Sequence, residues 1–215
     1  MTRSQDSQQG PRRPKGQERE TTPHSWSPGR MSYEIIPQRP RDAAKIEKLL
    51  DRTFGPDRFE KTVYRLREGV EAVPELSHVA VDLDGQLLAS LRFWPIRIGG
   101  KDAILLGPLA VEPALQGKGI GRALVRHGLA EAHHHGIEIC IVVGEPEYYG
   151  PYGFENAPAR GLRLPGPVEP RRFQVFEMTP GALKGVSGMI GRAGEPDSPG
   201  VSAPRGSTRR TAPPA

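Results

Sequence analysis

Gln116, Gly117, Lys118, Gly119, Ile120 and Gly121 place three glycines within five residues, just where an amphipathic pattern begins. Glycine lets successive backbone N–H groups turn toward one point and lets a ligand approach with no Cβ in the way. A helix starting here adds its unpaired first-turn N–H groups and the positive end of its dipole. The point they face suits an anion, and a phosphate or pyrophosphate is the natural guest. Lys118, Arg122 and Arg126 lie on the loop and the first turns; one or two of them could meet phosphate oxygens, and a solvated face is the other reading.

Two familiar phosphate loops fail on spacing. A P-loop needs G-x-x-x-x-G-K-[ST], whereas Gly121 is followed by Arg122 and Ala123, so the magnesium-binding hydroxyl is missing. A dinucleotide fingerprint needs G-x-G-x-x-G and an acidic residue closing the next strand. This chain has Gly117-Lys118-Gly119-Ile120-Gly121, and its next strand, near 137–143, ends in Gly144.

The pattern that fits is Q/R-x-x-G-x-G/A, carried by Gln116, Gly119 and Gly121 directly after Leu109-Ala110-Val111. Gly107-Pro108-Leu109-Ala110-Val111-Glu112-Pro113 precedes it, and Gly144-Glu145-Pro146-Glu147-Tyr148-Tyr149-Gly150-Pro151-Tyr152-Gly153-Phe154 follows. With that setting, roughly residues 33 to 190 resemble the GCN5-related N-acetyltransferase (GNAT) family, in its YhbS-like bacterial branch. The resemblance implies an α/β fold of mixed α+β type. Its central sheet is mostly antiparallel, with a splayed parallel strand pair and flanking helices. It also implies acetyl-coenzyme A as co-substrate, without a metal. Backbone at Leu109, Ala110 and Val111 would pair with the pantetheine arm, and Gln116, Gly117, Lys118, Gly119, Ile120, Gly121 and Arg122 would hold the pyrophosphate.

Acetyl transfer from a thioester to an amine draws much of its acceleration from holding two reactants in line. A backbone N–H near Val111 is the expected partner of the thioester oxygen. The resemblance points to Tyr149, five residues before Phe154, as the acid that protonates the departing thiolate. A phenol near pKa ~10 can do this for a thiol near ~8.5. Tyr148 and Tyr152 read as packing neighbours. The base stays open among Glu145, Glu147, His78 and a water chain; some relatives use a central-strand Glu, but 103–111 is apolar here. His133, His134 and His135 diverge by about 100° per helical residue and cannot converge on one ion. Cys140, mid-strand among apolar neighbours, reads as an inert core thiol.

The elements that must position these groups follow from periodicity. Tyr33–Pro37 reads as a first strand, and Ala43, Ile46, Leu49 and Leu50 as the inner stripe of a helix. A second helix is expected over 59–69 with Val63 and Leu66 inward. Val79–Leu83 and Leu87–Phe93 flank Asp84-Gly85 as hairpin arms. Gly99-Gly100 turns the chain into the central strand, where Pro108 calls for a bulge or an edge. Ile120, Leu124, Val125, Gly128, Leu129 and Ala132 form the apolar stripe of the helix after the loop, which Gly136 closes. The strand over 137–143 is apolar almost throughout, Glu138 excepted, as a buried parallel partner should be. Residues 146–152 suggest a short helix or turn, and Phe173–Met178 a last strand near Gly153-Phe154.

Length and composition bound the remainder. The 215 residues fit one domain over 31–190, with disordered tails at 1–30 and 191–215. Met31 makes residues 1–30 conceivable as a start-site extension. The net charge of +5 sits in the tails: residues 1–30 carry six Lys/Arg against three Asp/Glu, residues 191–215 four against two, and 31–190 twenty of each. A neutral body argues against a specific nucleic-acid face. One cysteine and the lack of a signal or an 18-residue apolar run point to a cytoplasmic protein away from membranes. The expected partner is a small-molecule or protein amine acceptor, and a homodimer stays open. Two rivals remain: a longer acyl-coenzyme A donor, and a non-catalytic module that senses acyl-coenzyme A.

Overall fold

Apolar runs buried on both faces lay down the central strands of the sheet, with successive side chains pointing to opposite faces. In the computed structural model, which describes residues 32–194, the chain runs β1 (Tyr33–Pro37), α1 (Ala43–Phe54), α2 (Thr62–Arg65), β2 (His78–Asp82) and β3 (Leu87–Ile98). It continues through β4 (Lys101–Val111), α3 (Ile120–His134), β5 (Ile139–Val143) and α4 (Pro146–Tyr149). It ends in β6 (Glu155–Asn156), β7 (Leu162–Arg163), β8 (Phe173–Glu177) and β9 (Gly188–Arg192). The sheet order is β1-β2-β3-β4-β5-β8-β6, and β9 joins β3 where β2 has ended. Neighbours along that path are antiparallel except β4 and β5, which run parallel. This is the mixed, helix-flanked sheet that the resemblance implies.

Alternation also divides the core. Ile104 and Leu106 of β4, with Cys140 and Val142 of β5, face α3 and its Ile120, Leu124, Val125, Leu129 and Ala132. Ala103, Leu105, Ile139 and Ile141 face the other way, onto Leu66, Phe173, Leu183 and Ile190. On that second face α1 covers β2 and the end of β4 through Ile46, Leu49, Leu50, Val79, Val81 and Ala110. Full burial of such a side chain stabilises by about 1.5–3 kcal/mol, so the two faces lock β4 and β5 in the middle.

Several expected boundaries change. The second helix is one turn, Thr62–Arg65, because Lys61 is extended (φ −68°, ψ 139°) and separates it from a 3-10 turn over Pro56–Glu60. Ala43 is exposed, so the inner stripe of α1 starts at Ile46. Phe173–Glu177 pairs with β5 and β6 but is not the last strand. β9 follows it and carries the ordered body past 190, so the tail read from 191 begins too early. The expected tail at 1–30 and the remainder of the other lie outside the described residues.

Candidate active site

β4 and β5 are paired as strands at Ile104 opposite Cys140 and Leu105 opposite Ile141. Beyond Leu105 they part, and the reason lies in β4. Its register against β3 steps from Leu106 opposite Phe93 to Leu109 opposite Leu91, so Gly107 and Pro108 together face Arg92. Two residues against one is a β-bulge, which bends the strand. Gly107 takes φ +116°, a conformation that side chains resist, and the Gly107–Pro108 peptide is cis.

The bent end of β4 has an unpaired edge. Glu112 N–H donates to the Leu88 carbonyl at 2.8 Å, so its amide faces β3. Strand groups alternate sides, which turns the N–H and C=O of Val111 and Leu109 toward the opening. Gln116 Nε2 donates to the Val111 carbonyl at 3.3 Å, in accord with that direction.

The opening is a cleft of about 1280 Å³, walled by Leu106–Leu109 and Val111 on one side and Val142–Glu145 on the other. Leu115–Arg122 close its head. There α3 begins at Gly119, whose φ of +87° turns the loop into the helix. The first-turn N–H groups of a helix have no intrahelical partner, so this end presents donors and positive dipole to the cleft. Gly121 serves a different need: a Cβ there would stand 2.8 Å from Tyr148 Oη and 3.2 Å from Val111 Cγ2. The absent side chain lets the Tyr148 hydroxyl and β4 close on the first turn of α3.

Three tyrosines stack beside this end. Tyr148 meets Tyr149 edge-on at 4.9 Å, and Tyr149 meets Phe154 at 5.7 Å. Tyr149 is buried, lines the cleft, and packs against Gly144, where a Cβ would come within 2.2 Å of its ring. Burial pushes its hydroxyl well above the ordinary tyrosine range, with Tyr148 adding to the effect. Burial likewise pushes Tyr148 up to about 12. Tyr152 is raised less, and its hydroxyl donates to the Arg122 carbonyl at 3.3 Å.

Of the coenzyme residues expected from sequence, Leu109, Val111 and Gln116–Arg122 all line the cleft. Ala110 does not: its side chain is buried under α1 on the other face and its backbone points at β3. Ile120 is a core side chain, so only its backbone is available. Glu145 lines the cleft with both carboxylate oxygens engaged, Oε2 by Arg171 at 2.8 Å and Oε1 by Arg172 at 3.1 Å. Glu147 leans toward Arg171 at 3.6 Å. His78 is buried against His127, with ring centroids 4.4 Å apart, away from the cleft. Arg126 faces a separate groove with Tyr152 and Phe176.

Among the described residues no group of three His, Cys, Asp or Glu is placed to hold a metal. Cys140 is fully buried and its thiol is pushed far up by burial. The far wall was not read from sequence. It holds Phe54, Lys61, Thr62, Tyr64, Arg67, Pro167 and Glu169, contributed by α1, α2 and the stretch before β8. No motif marks these residues; they meet only because the sheet brings α2 opposite that stretch, as in the Thr62 hydroxyl donating to the Pro167 carbonyl at 2.6 Å.

The profile of the Acetyltransferase (GNAT) family matches residues 43–147, from α1 through the loop to α4. The sequence is 36% identical over 153 residues to the uncharacterized N-acetyltransferase YhbS of Escherichia coli K12, spanning 70% of this chain and 90% of that one. The crystal structure of E. coli YhbS in complex with CoA matches with a TM-score of 0.67 at 33% identity, over 79% of this chain and 93% of that chain. A GNAT family acetyltransferase from Brucella melitensis, solved with acetyl-CoA, matches with a TM-score of 0.53 at 32% identity, over 69% and 89% of the two chains.

Proposed function

This chain belongs to the acetyltransferase (GNAT) family, and from that premise we propose that it moves an acetyl group from acetyl-CoA to an amine nitrogen, with both reactants in the cleft at once. The observation that carries the reading is the parting of β4 and β5 beneath the N-terminus of α3. It supplies a strand edge for the amides of a pantetheine arm and helix donors for a pyrophosphate. Lys118 and Arg122 stand at the same end and supplement the charge. Similarity to relatives solved with CoA and acetyl-CoA supports the same reading.

In this reading the free Val111 N–H polarises the thioester oxygen, and the cleft aligns the amine with the carbonyl carbon. The amine loses one proton and the thiolate gains one as the C–S bond breaks. Tyr149, protonated at neutral pH and lining the cleft, supplies the second proton and regains one from the cleft water that took the amine's. With Glu145 tied to two guanidinium groups, cleft water takes the proton from the amine.

Steady-state thiol release with an amine panel, run beside Tyr149→Phe, tests the proposal. The variant should lose turnover by about 10²-fold or more and keep its affinity for acetyl-CoA. Native protein that binds acetyl-CoA but releases no thiol with any amine would contradict it and favour a sensor. Preference for hexanoyl- over acetyl-CoA in the same assay would shift the donor to longer acyl groups.

A further inference from the structure

Arg67 is a cation to which the reaction above assigns no task. It follows α2, is only 8% exposed, and belongs to the wall of the cleft facing β4. Its guanidinium rests over the rings of Tyr64 at 4.7 Å and Trp94 at 5.7 Å. Its Nε and Nη1 are enclosed without a hydrogen-bond partner, as are Tyr64 Oη and Trp94 Nε1 on those rings. Nη2 points past the bulge: a Cβ on Gly107 would lie 3.3 Å from it. The missing side chain at 107 leaves the guanidinium open to the cleft.

Among the described residues no carboxylate pairs with this charge. Burial pulls the group down to about 10, the Tyr64 hydroxyl offsets part of that without a hydrogen bond of good geometry, and Arg92 opposes it. Interiors tolerate charges that are paired; an unpaired one gives up its hydration with nothing in return. The cleft's acids do not serve, since Glu145 and Glu169 are held by Arg171 and Arg172. Among its other cations, Arg172 is paired with Glu145. One uncompensated guanidinium fork asks for one negative charge, which favours a carboxylate over a phosphate dianion.

We propose that Arg67 receives a carboxylate carried by a reactant, seated between the β4 bulge and α2 on the amine side of the cleft. The proposal rests on the cleft being the acyl-transfer site. The carboxylate belongs either to the amine, as in an amino acid, or to the far end of the acyl group, as in a dicarboxylic thioester.

The test compares acids with their neutral amides in full-length protein. With acetyl-CoA as donor, leucine and 6-aminohexanoate are run against leucinamide and 6-aminohexanamide; with a fixed amine, succinyl-CoA is run against acetyl-CoA. The native protein should prefer the acid in one of the two series by roughly 30-fold or more in kcat/KM, and Arg67→Met should collapse that ratio toward one. Arg67→Lys, which keeps the charge and loses the fork, should fall between. Collapse in the first series puts the carboxylate on the amine; collapse in the second puts it on the acyl group. A second readout needs neither turnover nor a variant: N-acetylleucine or N-acetyl-6-aminohexanoate where the amine carries the carboxylate, or succinyl-CoA where the acyl group does, but not their neutral counterparts, should shift the Arg67 Nε–H resonance in the native protein.

Acid-to-amide ratios that Arg67→Met leaves unchanged, with a resonance that no acid moves, would overturn the proposal while acetyl transfer itself could stand. A resonance that shifts in protein that acetylates no amine would keep the carboxylate site and sink the transfer reading.

Discussion

A phenol shut away from water holds its proton more tightly than a free one, because the phenolate has lost the solvent that stabilised it. Tyr149 is in that condition, and Tyr148 beside it is pushed up to about 12. A buried acid of this kind stays charged with its proton while the amine becomes a better nucleophile as pH rises. The rate against pH should therefore climb and level off, with no alkaline fall below about pH 10. Stability follows the opposite course: below the ordinary tyrosine value near 10 both folded and unfolded chains keep the proton, and above it only the unfolded chain releases it. Alkaline unfolding from about pH 10 upward should be milder in Tyr149→Phe, and a fall in rate at pH 8 traced to Tyr149 would contradict the placement. The family resemblance singles out Tyr149 by its place before Gly153-Phe154, but not its seat on Gly144. Arg67 could not be singled out, since its neighbours Tyr64, Trp94 and Gly107 come from three separate elements.

The parting of two parallel strands creates the site, and a helix pressed against them fixes its head. α3 comes so close to the sheet that a Cβ on Gly128 would stand 2.6 Å from the ring of Phe93, which is fully buried. Gly128→Ala sets a helix-propensity gain of about 1 kcal/mol against an overpacking cost of about 1–3 kcal/mol. The second term should win, lowering the midpoint of thermal unfolding and loosening acetyl-CoA as the head of the cleft shifts; a raised midpoint would contradict this packing. The strand–loop–helix–strand unit was legible in sequence because its signals are local: an apolar run before the loop, glycines in it, and a 3.6-residue stripe after it. Pro108 announced the bulge. β9 was not legible, because Gly188-Met189-Ile190-Gly191-Arg192 buries only Ile190 and joins the sheet through backbone pairing with β3. The one-turn α2 was read too long, because an extended Lys61 leaves the apolar spacing of Val63 and Leu66 intact.

At the scale of the molecule, a charge-balanced body, twenty basic and twenty acidic residues over 31–190, surrounds a cleft whose charges are distributed unevenly. Helix donors, Lys118 and Arg122 stand at its head, and an unpaired Arg67 stands on the opposite wall past the bulge. The account depends on the head of the cleft receiving the pyrophosphate of acetyl-CoA. Calorimetric titration of acetyl-CoA into the native chain and into Gly119→Glu measures this directly. A Cβ at 119 meets nothing within 4 Å, so the new carboxylate enters the mouth of the loop, and the φ of +87° adds only local strain. The native chain should bind, and the variant, folded by its thermal transition, should bind about 100-fold more weakly or not at all, since opposed like charges cost several kcal/mol. Failure of the folded native chain to bind, or equal binding by the variant, would contradict the account.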